Sequence, residues 1–228
     1  MNKLLIIMFS IMSMNAYADI EAGIQAYQKG DYRIAQSHFQ AEADKGNPQG
    51  KHLMASLYYQ GHGVEKNLEK AVTLFQEAAK SGYLPSIANL GVMYMRGDGV
   101  EQDYTTAFNY YLQAATLGDV QSTFNVGQFY RKGTGVAQDN TKAAQWYKKA
   151  AESGSLQAQN EYGLMFAQGH GVEQDYIQAY AWINLPAEAG DGQALKNRAQ
   201  LLQLLSPVDS KKASNLAADY RAQYSKPQ

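Results

Sequence analysis

One stretch of the chain, residues 90–107, decides the fold, and its sequence is LGVMYMRGDGVEQDYTTA. The apolar residues before Gly97 recur at helical spacing, which predicts an amphipathic helix. Gly97 predicts the end of that helix, because glycine readily takes the left-handed conformation that closes a helix. Asp103 predicts the start of a second helix, since its carboxylate suits the N-cap position. The stretch therefore predicts two helices joined by a tight loop.

The same pattern returns at a period of 36 residues along the chain. The leading glycines of the period are Gly46, Gly82, Gly118, Gly154 and Gly190. The paired loop glycines are Gly61 and Gly63, Gly97 and Gly99, Gly133 and Gly135, and Gly169 and Gly171. A fixed period of this length is typical of repeat architectures. We therefore predict four complete repeats, at residues 46–81, 82–117, 118–153 and 154–189.

The repeated residues also resemble a known family. The spacing is Leu90-Gly91-x-x-Tyr94-x-x-Gly97-x-Gly99-Val100-x-x-Asp103-x-x-x-Ala107, followed by Tyr111-x-x-Ala114-Ala115-x-x-Gly118. This spacing resembles the Sel1-like repeat family, a branch of the tetratricopeptide-like helical solenoids, over residues 46–190. The resemblance implies an all-α fold, a right-handed α/α superhelical solenoid of helix-turn-helix repeats with helical caps. Such a solenoid presents an extended surface for binding.

The segments on either side of the repeats are expected to be caps. Residues 19–45 match the repeat once five loop residues are deleted, which predicts a degenerate N-terminal repeat. Residues 190–228 predict a C-terminal helical cap, whose last helix is expected to begin at Ser206-Pro207. Pro186 stands where the other repeats have alanine. We expect the helix before it to end or kink at Leu185, because proline lacks the backbone donor.

The first residues predict export. Lys3 precedes a short apolar core at residues 4–12, and Ala16 and Ala18 supply the pattern that signal peptidase recognises. Residues 1–18 are therefore predicted to be a signal peptide, cleaved between Ala18 and Asp19. The alternative, a membrane anchor, would need about twenty apolar residues to cross roughly 30 Å of hydrocarbon. We expect a periplasmic protein without membrane insertion after cleavage, or one secreted into the medium.

The composition excludes several kinds of functional site. The chain has no cysteine, which excludes disulfides and thiolate metal sites, and its net charge of −1 gives no general attraction to nucleic acid. His62 and His170 occupy equivalent loop positions and are expected to be solvated, whereas His38 and His52 stand alone. Abundant tyrosines are expected to fill repeating core positions. We expect no metal and no cofactor.

Catalytic motifs are also absent from the sequence. It contains no G-x-S-x-G, S-x-x-K or H-E-x-x-H pattern. A cysteine-rich secreted subgroup of the resembled family has been linked to penicillin binding and β-lactamase activity, but this chain cannot form that subgroup's disulfides. We therefore expect a non-enzymatic scaffold, an adaptor or regulator in the bacterial envelope that binds a protein or peptide. The alternative is a cell-wall-directed enzyme, β-lactamase-like or penicillin-binding.

The expected binding surface lies on the first helix of each repeat, opposite the positions that point into the stack. Its residues vary between repeats and are more apolar than a solvated face requires. The predicted concave-face residues are Tyr59, Val92, Met95, Phe124, Gln128, Arg131, Asn160 and Leu164. The alternative is that these side chains pack against the first helix of the next repeat.

Overall fold

The computed structural model describes residues 19–224. The predicted signal peptide, including Ala18 of its cleavage site, lies outside these residues, and Asp19 is the first residue described. Asp19 forms an ion pair with Lys45, whose Nζ lies 3.4 Å from the carboxylate. The last four residues of the predicted C-terminal cap, 225–228, also lie outside.

Every regular element between residues 19 and 224 is an α-helix, which confirms the predicted all-α class. The first helix, α1, covers residues 19–28. The others are α2 Tyr32–Asp44, α3 Pro48–Gln60, α4 Leu68–Lys80, α5 Leu84–Arg96, α6 Tyr104–Thr116, α7 Val120–Lys132, α8 Asn140–Glu152, α9 Leu156–Gln168, α10 Tyr176–Glu188, α11 Gly192–Leu204 and α12 Pro207–Tyr224. None of these helices is long and apolar enough to cross a bilayer.

Local sequence signals place the helix ends as predicted. Gly97 ends α5 with a φ of 79°, and its amide donates to the Met93 carbonyl. Asp103 begins α6, because its carboxylate accepts hydrogen bonds from the amides of Thr105 and Thr106. Asn67, Asp139 and Asp175 cap α4, α8 and α10 in the same way. The first helix of each repeat thus ends at a left-handed glycine, and the second begins at a polar cap.

The second glycine of the loop is required for a different reason, close approach. Gly99 has a φ of 72°, and a Cβ at this position would lie 2.5 Å from the carbonyl carbon and oxygen of Leu68, the first residue of α4. Gly171 would meet Asn140, the first residue of α8, in the same way. The loop of one repeat therefore rests on the start of the second helix of the preceding repeat, and only glycine leaves room.

The described residues divide into two compact units, one up to Tyr110 and one from Tyr111. In the first unit, Phe39, Met54 and Leu57 lie in one core cluster, and Phe75 and Leu90 lie in another. In the second unit the buried side chains include Tyr147, Tyr162, Trp182 and Ile183. Alanines at one repeating position of the second helices, Ala71 and Ala143 among them, are fully buried. Small side chains there bring paired helices into contact.

Three expectations about particular residues need correction. Tyr111 and Tyr147 are buried as predicted, but Tyr58, Tyr94 and Tyr130 are only half-buried. The helix that contains Pro186 does not end at Leu185. It continues to Glu188, and the Pro186 carbonyl accepts a hydrogen bond from the Asp191 amide. His62 is not a solvated loop residue, because its ring stacks on Tyr32 with centroids 4.4 Å apart.

Candidate partner-binding face

The predicted face lies on the first helices of the repeats, and in the first unit it begins on α3. Tyr59 is half-buried, and its hydroxyl donates to Asp98 Oδ2 at 2.9 Å. Asp98 belongs to the loop of the next repeat and is half-buried. The Tyr59–Asp98 hydrogen bond therefore joins neighbouring repeats, and this bond together with burial raises the pKa of Tyr59.

His52 makes the second contact between repeats on α3. Its Nδ1 lies 2.9 Å from the Ser86 hydroxyl on α5, and the rings of Phe75 and Tyr83 lie 5.2 Å from its ring, centroid to centroid. Burial lowers the pKa of His52 to about 4. The imidazole is therefore neutral at pH 7. His52 therefore packs between repeats.

Contacts of the same kind recur in the second unit. Arg131 on α7 lies 3.8 Å from the Glu161 carboxylate on α9, nitrogen to oxygen. Asn160 on α9 accepts a hydrogen bond of 3.0 Å from Asn197 on α11. Both partners belong to the first helix of the following repeat or cap. The alternative reading, that these positions pack against the next first helix, thus describes part of the predicted face.

Phe124 does not belong on the exposed part of the face. Its side chain is 8 % exposed and lies in the core cluster of the second unit. Its ring centroid is 5.5 Å from that of Tyr147 on α8. The helical period puts position 124 beside the other face residues, but a benzyl side chain is long enough to reach the second helix. Phe124 is therefore a core residue.

Two face residues of the first unit, Tyr59 and Val92, border a concavity between α3 and α5. Its volume is about 240 Å³. Tyr59 and Val92 line it together with Ser56, Gln60, Phe75, Asn89 and Met93. Val92 and Met95 are half-buried, and the Met95 carbonyl accepts a hydrogen bond from Gln102. Polar groups thus surround a mostly apolar floor.

A second concavity lies between α7 and α9 in the other unit. Its volume is about 280 Å³, and Arg131, Glu161, Leu164 and His170 are among its lining residues. Arg131 and His170 are exposed, whereas Leu164 is half-buried. The amide oxygen of Gln128, one turn before Arg131, is buried without a hydrogen-bond partner in the part of the chain that the structure describes. This concavity is more polar and more charged than the first.

The Sel1 repeat profile matches residues 48–83, 84–119, 120–155 and 156–191, more than half of the chain. The chain belongs to the Sel1 repeat family. The matched segments have the predicted period of 36 residues and begin two positions later than the predicted repeats, close to the starts of α3, α5, α7 and α9. Sel1 repeats are generally scaffolds for protein interactions.

Solved structures of other Sel1 repeat proteins are similar over nearly the whole chain. A protective antigen of uropathogenic Escherichia coli with an SLR fold has a TM-score of 0.80 and 31% identity, and the match covers 95% of this chain but 47% of that one. A Sel1 repeat protein from Oxalobacter formigenes has a TM-score of 0.78 and 30% identity, covering 90% of this chain and 85% of that chain. These likenesses confirm the α/α solenoid of helix pairs.

One curated relative carries an enzyme name. HcpC of Helicobacter pylori, which is provisionally named as a β-lactamase, is 42% identical over 48 residues. This segment is 21% of the present chain and 17% of HcpC. The present chain thus matches only a small part of that relative's length, about one repeat and a third.

The histidine and carboxylate side chains of the described residues are spread apart. Among residues 19–224, no three histidine or carboxylate side chains are grouped so that they could hold a metal ion. His170 is exposed in its loop, as predicted. His62 instead has its Nδ1 3.0 Å from the Tyr27 hydroxyl. This contact links the first complete Sel1 repeat to the N-terminal helix pair.

A further concavity of the Sel1 chain escaped the sequence analysis. It has a volume of about 510 Å³ and lies among α8, α9, α10 and the cap helix α12. Tyr220 and Tyr224 contribute to it from the cap, where no repeat register predicts their position. The sequence contained one indication that this place differs in the fourth repeat. Gln178 stands where the first and third repeats have Lys70 and Lys142.

Proposed function

We propose that this Sel1 repeat protein is an exported scaffold that binds a protein or peptide partner, acting as an adaptor or regulator in the bacterial envelope. The observation that carries the proposal is the concavity between α3 and α5, with Tyr59 and Val92 in its wall and an apolar floor. An apolar groove with a polar border is the surface that an extended peptide or a helix requires. Family membership supports the scaffold role.

Two hydrogen bonds between repeats support binding by a preformed groove. The Tyr59–Asp98 and His52–Ser86 hydrogen bonds hold the two helices of the first concavity in register. A preformed groove binds with less loss of conformational entropy than a flexible one. Tyr59, Val92, Met95, Gln128, Arg131, Asn160 and Leu164 remain the proposed contact residues. The envelope location, periplasm or medium, rests on the predicted signal peptide.

Site-specific photo-crosslinking in the native host tests the proposal. Benzoylphenylalanine replaces Gln60, an exposed residue that lines the first concavity, or Gln168, an exposed residue that lines the second. The matched controls are Thr73 on α4 and Gln145 on α8, which are exposed and line neither concavity. We expect a discrete adduct from the groove positions and none from the controls.

Two results would contradict the scaffold proposal. Equal adducts from groove and control positions would show that the first-helix face has no special role. Hydrolysis of a chromogenic β-lactam by the purified protein would instead favour a β-lactamase, the activity in the name of HcpC. That assay needs no knowledge of the partner and separates the two classes of function directly.

A further inference from the structure

The C-terminal end of the second unit contains the concavity of about 510 Å³ that no repeat register predicts. Aromatic side chains form much of its lining: Tyr162, Phe166, Trp182, Tyr220 and Tyr224. The rings are packed together, with the Trp182 centroid 4.5 Å from Tyr220 and 5.1 Å from Tyr224. Trp182 is 3 % exposed, so Phe166, Tyr220 and Tyr224 provide the accessible aromatic surface.

The charged lining of this concavity is predominantly negative. Glu152, Glu173 and Asp175 contribute three carboxylates, and Lys148 contributes one ammonium group. The Nζ atom of Lys148 lies 3.8 Å from Oε1 of Glu152. The lining therefore carries an excess of negative charge. Burial, with a further contribution from the Glu152 carboxylate, raises the pKa of Tyr224, as expected in a negative environment.

Two of the other repeats have a lysine at the equivalent place. In the first repeat, Lys70 Nζ lies 4.2 Å from the centroid of the Tyr58 ring. In the third repeat, Lys142 Nζ lies 5.3 Å from the centroid of Tyr130. In the fourth repeat the ring position is Phe166, but the lysine position is Gln178. The fourth repeat therefore keeps the aromatic ring beside this place but lacks the lysine of the first and third repeats. The second repeat, with Tyr94 and Thr106 at the two positions, also lacks it.

We propose that this concavity binds a cationic alkylammonium or guanidinium group, such as the side chain of a lysine or arginine in a partner. The ligand's cation takes the place that Lys70 and Lys142 fill in the first and third repeats, with Phe166, Tyr220 and Tyr224 beside it. Aromatic faces and carboxylates both attract a cation. A neutral sugar carries no positive charge for the excess carboxylates to attract.

This site is separate from the first-helix face, so the proposal goes beyond the scaffold function and can fail without it. The probe is Nα-acetyl-lysine amide, and the neutral control ligand is Nα-acetyl-norleucine amide, which has an uncharged stem. Fluorescence of Trp182 reports binding in a Trp146→Phe background, where Trp182 is the remaining tryptophan. We expect saturable binding of the lysine derivative, at least about fivefold tighter than that of the norleucine derivative.

Substitution at position 178 provides the decisive test. Gln178→Lys restores the lysine of the first and third repeats, and we expect it to weaken probe binding about tenfold or more by filling the site. Gln178→Met is the matched control, because it also removes the 2.7 Å hydrogen bond from Tyr220 but adds no charge. We expect Gln178→Met to keep the affinity within about threefold. Equal affinities for both variants would overturn the proposal.

A second variant, which changes charge elsewhere in the concavity, tests the proposal even if Gln178→Lys lowers Tm strongly. The double variant Glu152→Gln, Glu173→Gln lowers the negative charge and spares Asp175, which caps α10. Weaker binding of the lysine probe by this variant supports the proposal, and unchanged binding contradicts it. Binding of N-acetylglucosamine oligomers by the unmodified protein, without binding of the lysine probe, would assign the concavity to carbohydrate instead.

A further experiment distinguishes the two sources of such a cation, a basic residue of a protein and a free alkylamine. A pentapeptide Gly-Gly-Lys-Gly-Gly with blocked termini places the same side chain in a backbone. If the pentapeptide binds at least about tenfold tighter than the lysine derivative, the site recognises a basic residue of a protein. Equal affinities assign it to a free alkylamine.

Discussion

Alanine substitution at two glycines of one repeat separates backbone strain from steric contact. Gly99 and Gly82 have φ values of 72° and 76°. A Cβ at Gly99 would lie 2.5 Å from the Leu68 carbonyl group, whereas a Cβ at Gly82 would meet nothing within 4 Å. The two positions therefore share a left-handed backbone and differ in available space.

The structure allows the cost of each substitution to be estimated. An alanine in the left-handed region costs about 1 kcal/mol relative to glycine, and this applies to both sites. At position 99 the methyl group must also displace backbone, and overpacking of this kind costs about 1–3 kcal/mol more. We expect the free energy of unfolding to fall by about 1 kcal/mol for Gly82→Ala and about 3 kcal/mol for Gly99→Ala.

Thermal melting followed by circular dichroism measures the difference. For a chain of this size 1 kcal/mol corresponds to about 2–4 °C in Tm. Gly82→Ala should therefore lower Tm by about 2–4 °C and Gly99→Ala by about 6–12 °C. Asp98→Ala, which removes only the Tyr59 hydrogen bond, should cost about 1 kcal/mol. Equal Tm losses for the two glycine variants would refute the argument that the loop rests on the start of α4.

Three further predictions concern pH, processing and cofactor independence. Because burial lowers the pKa of His52 from 6.5 to about 4, the unfolded chain takes up the proton first as pH falls. The stabilising contribution of the neutral His52 side chain is complete above pH 6.5 and declines toward pH 4. Urea unfolding should therefore show a free energy of unfolding lower by about 2 kcal/mol at pH 4.5, and His52→Asn should abolish this loss. The intact mass of protein from the envelope should correspond to a chain that begins at Asp19, and a retained Met1 would contradict cleavage. Far-ultraviolet circular dichroism should show a helical protein that neither chelator nor reductant changes, and loss of helicity with either reagent would show a missed metal or redox requirement.

The sequence by itself determined the features that depend on a few neighbouring residues. Gly97 and Asp103 predicted where α5 ends and α6 begins, because a left-handed glycine and a capping carboxylate act within one helical turn. The 36-residue period predicted the number of repeats, since every repeat carries the same local signals. Ser206 and Pro207 predicted the start of the last helix, and the Asp209 amide donates to the Ser206 hydroxyl as expected.

Tertiary structure alone decided what each side chain touches. Helical spacing placed Phe124 on the binding face, but its ring packs on Tyr147. Pro186 was expected to end or kink its helix, yet residues 179–187 are all buried, and their packing holds α10 through the proline. A proline in the last turn forfeits one hydrogen bond, which burial of a whole turn outweighs. Contacts between residues distant in sequence decide these outcomes, and no local pattern encodes them.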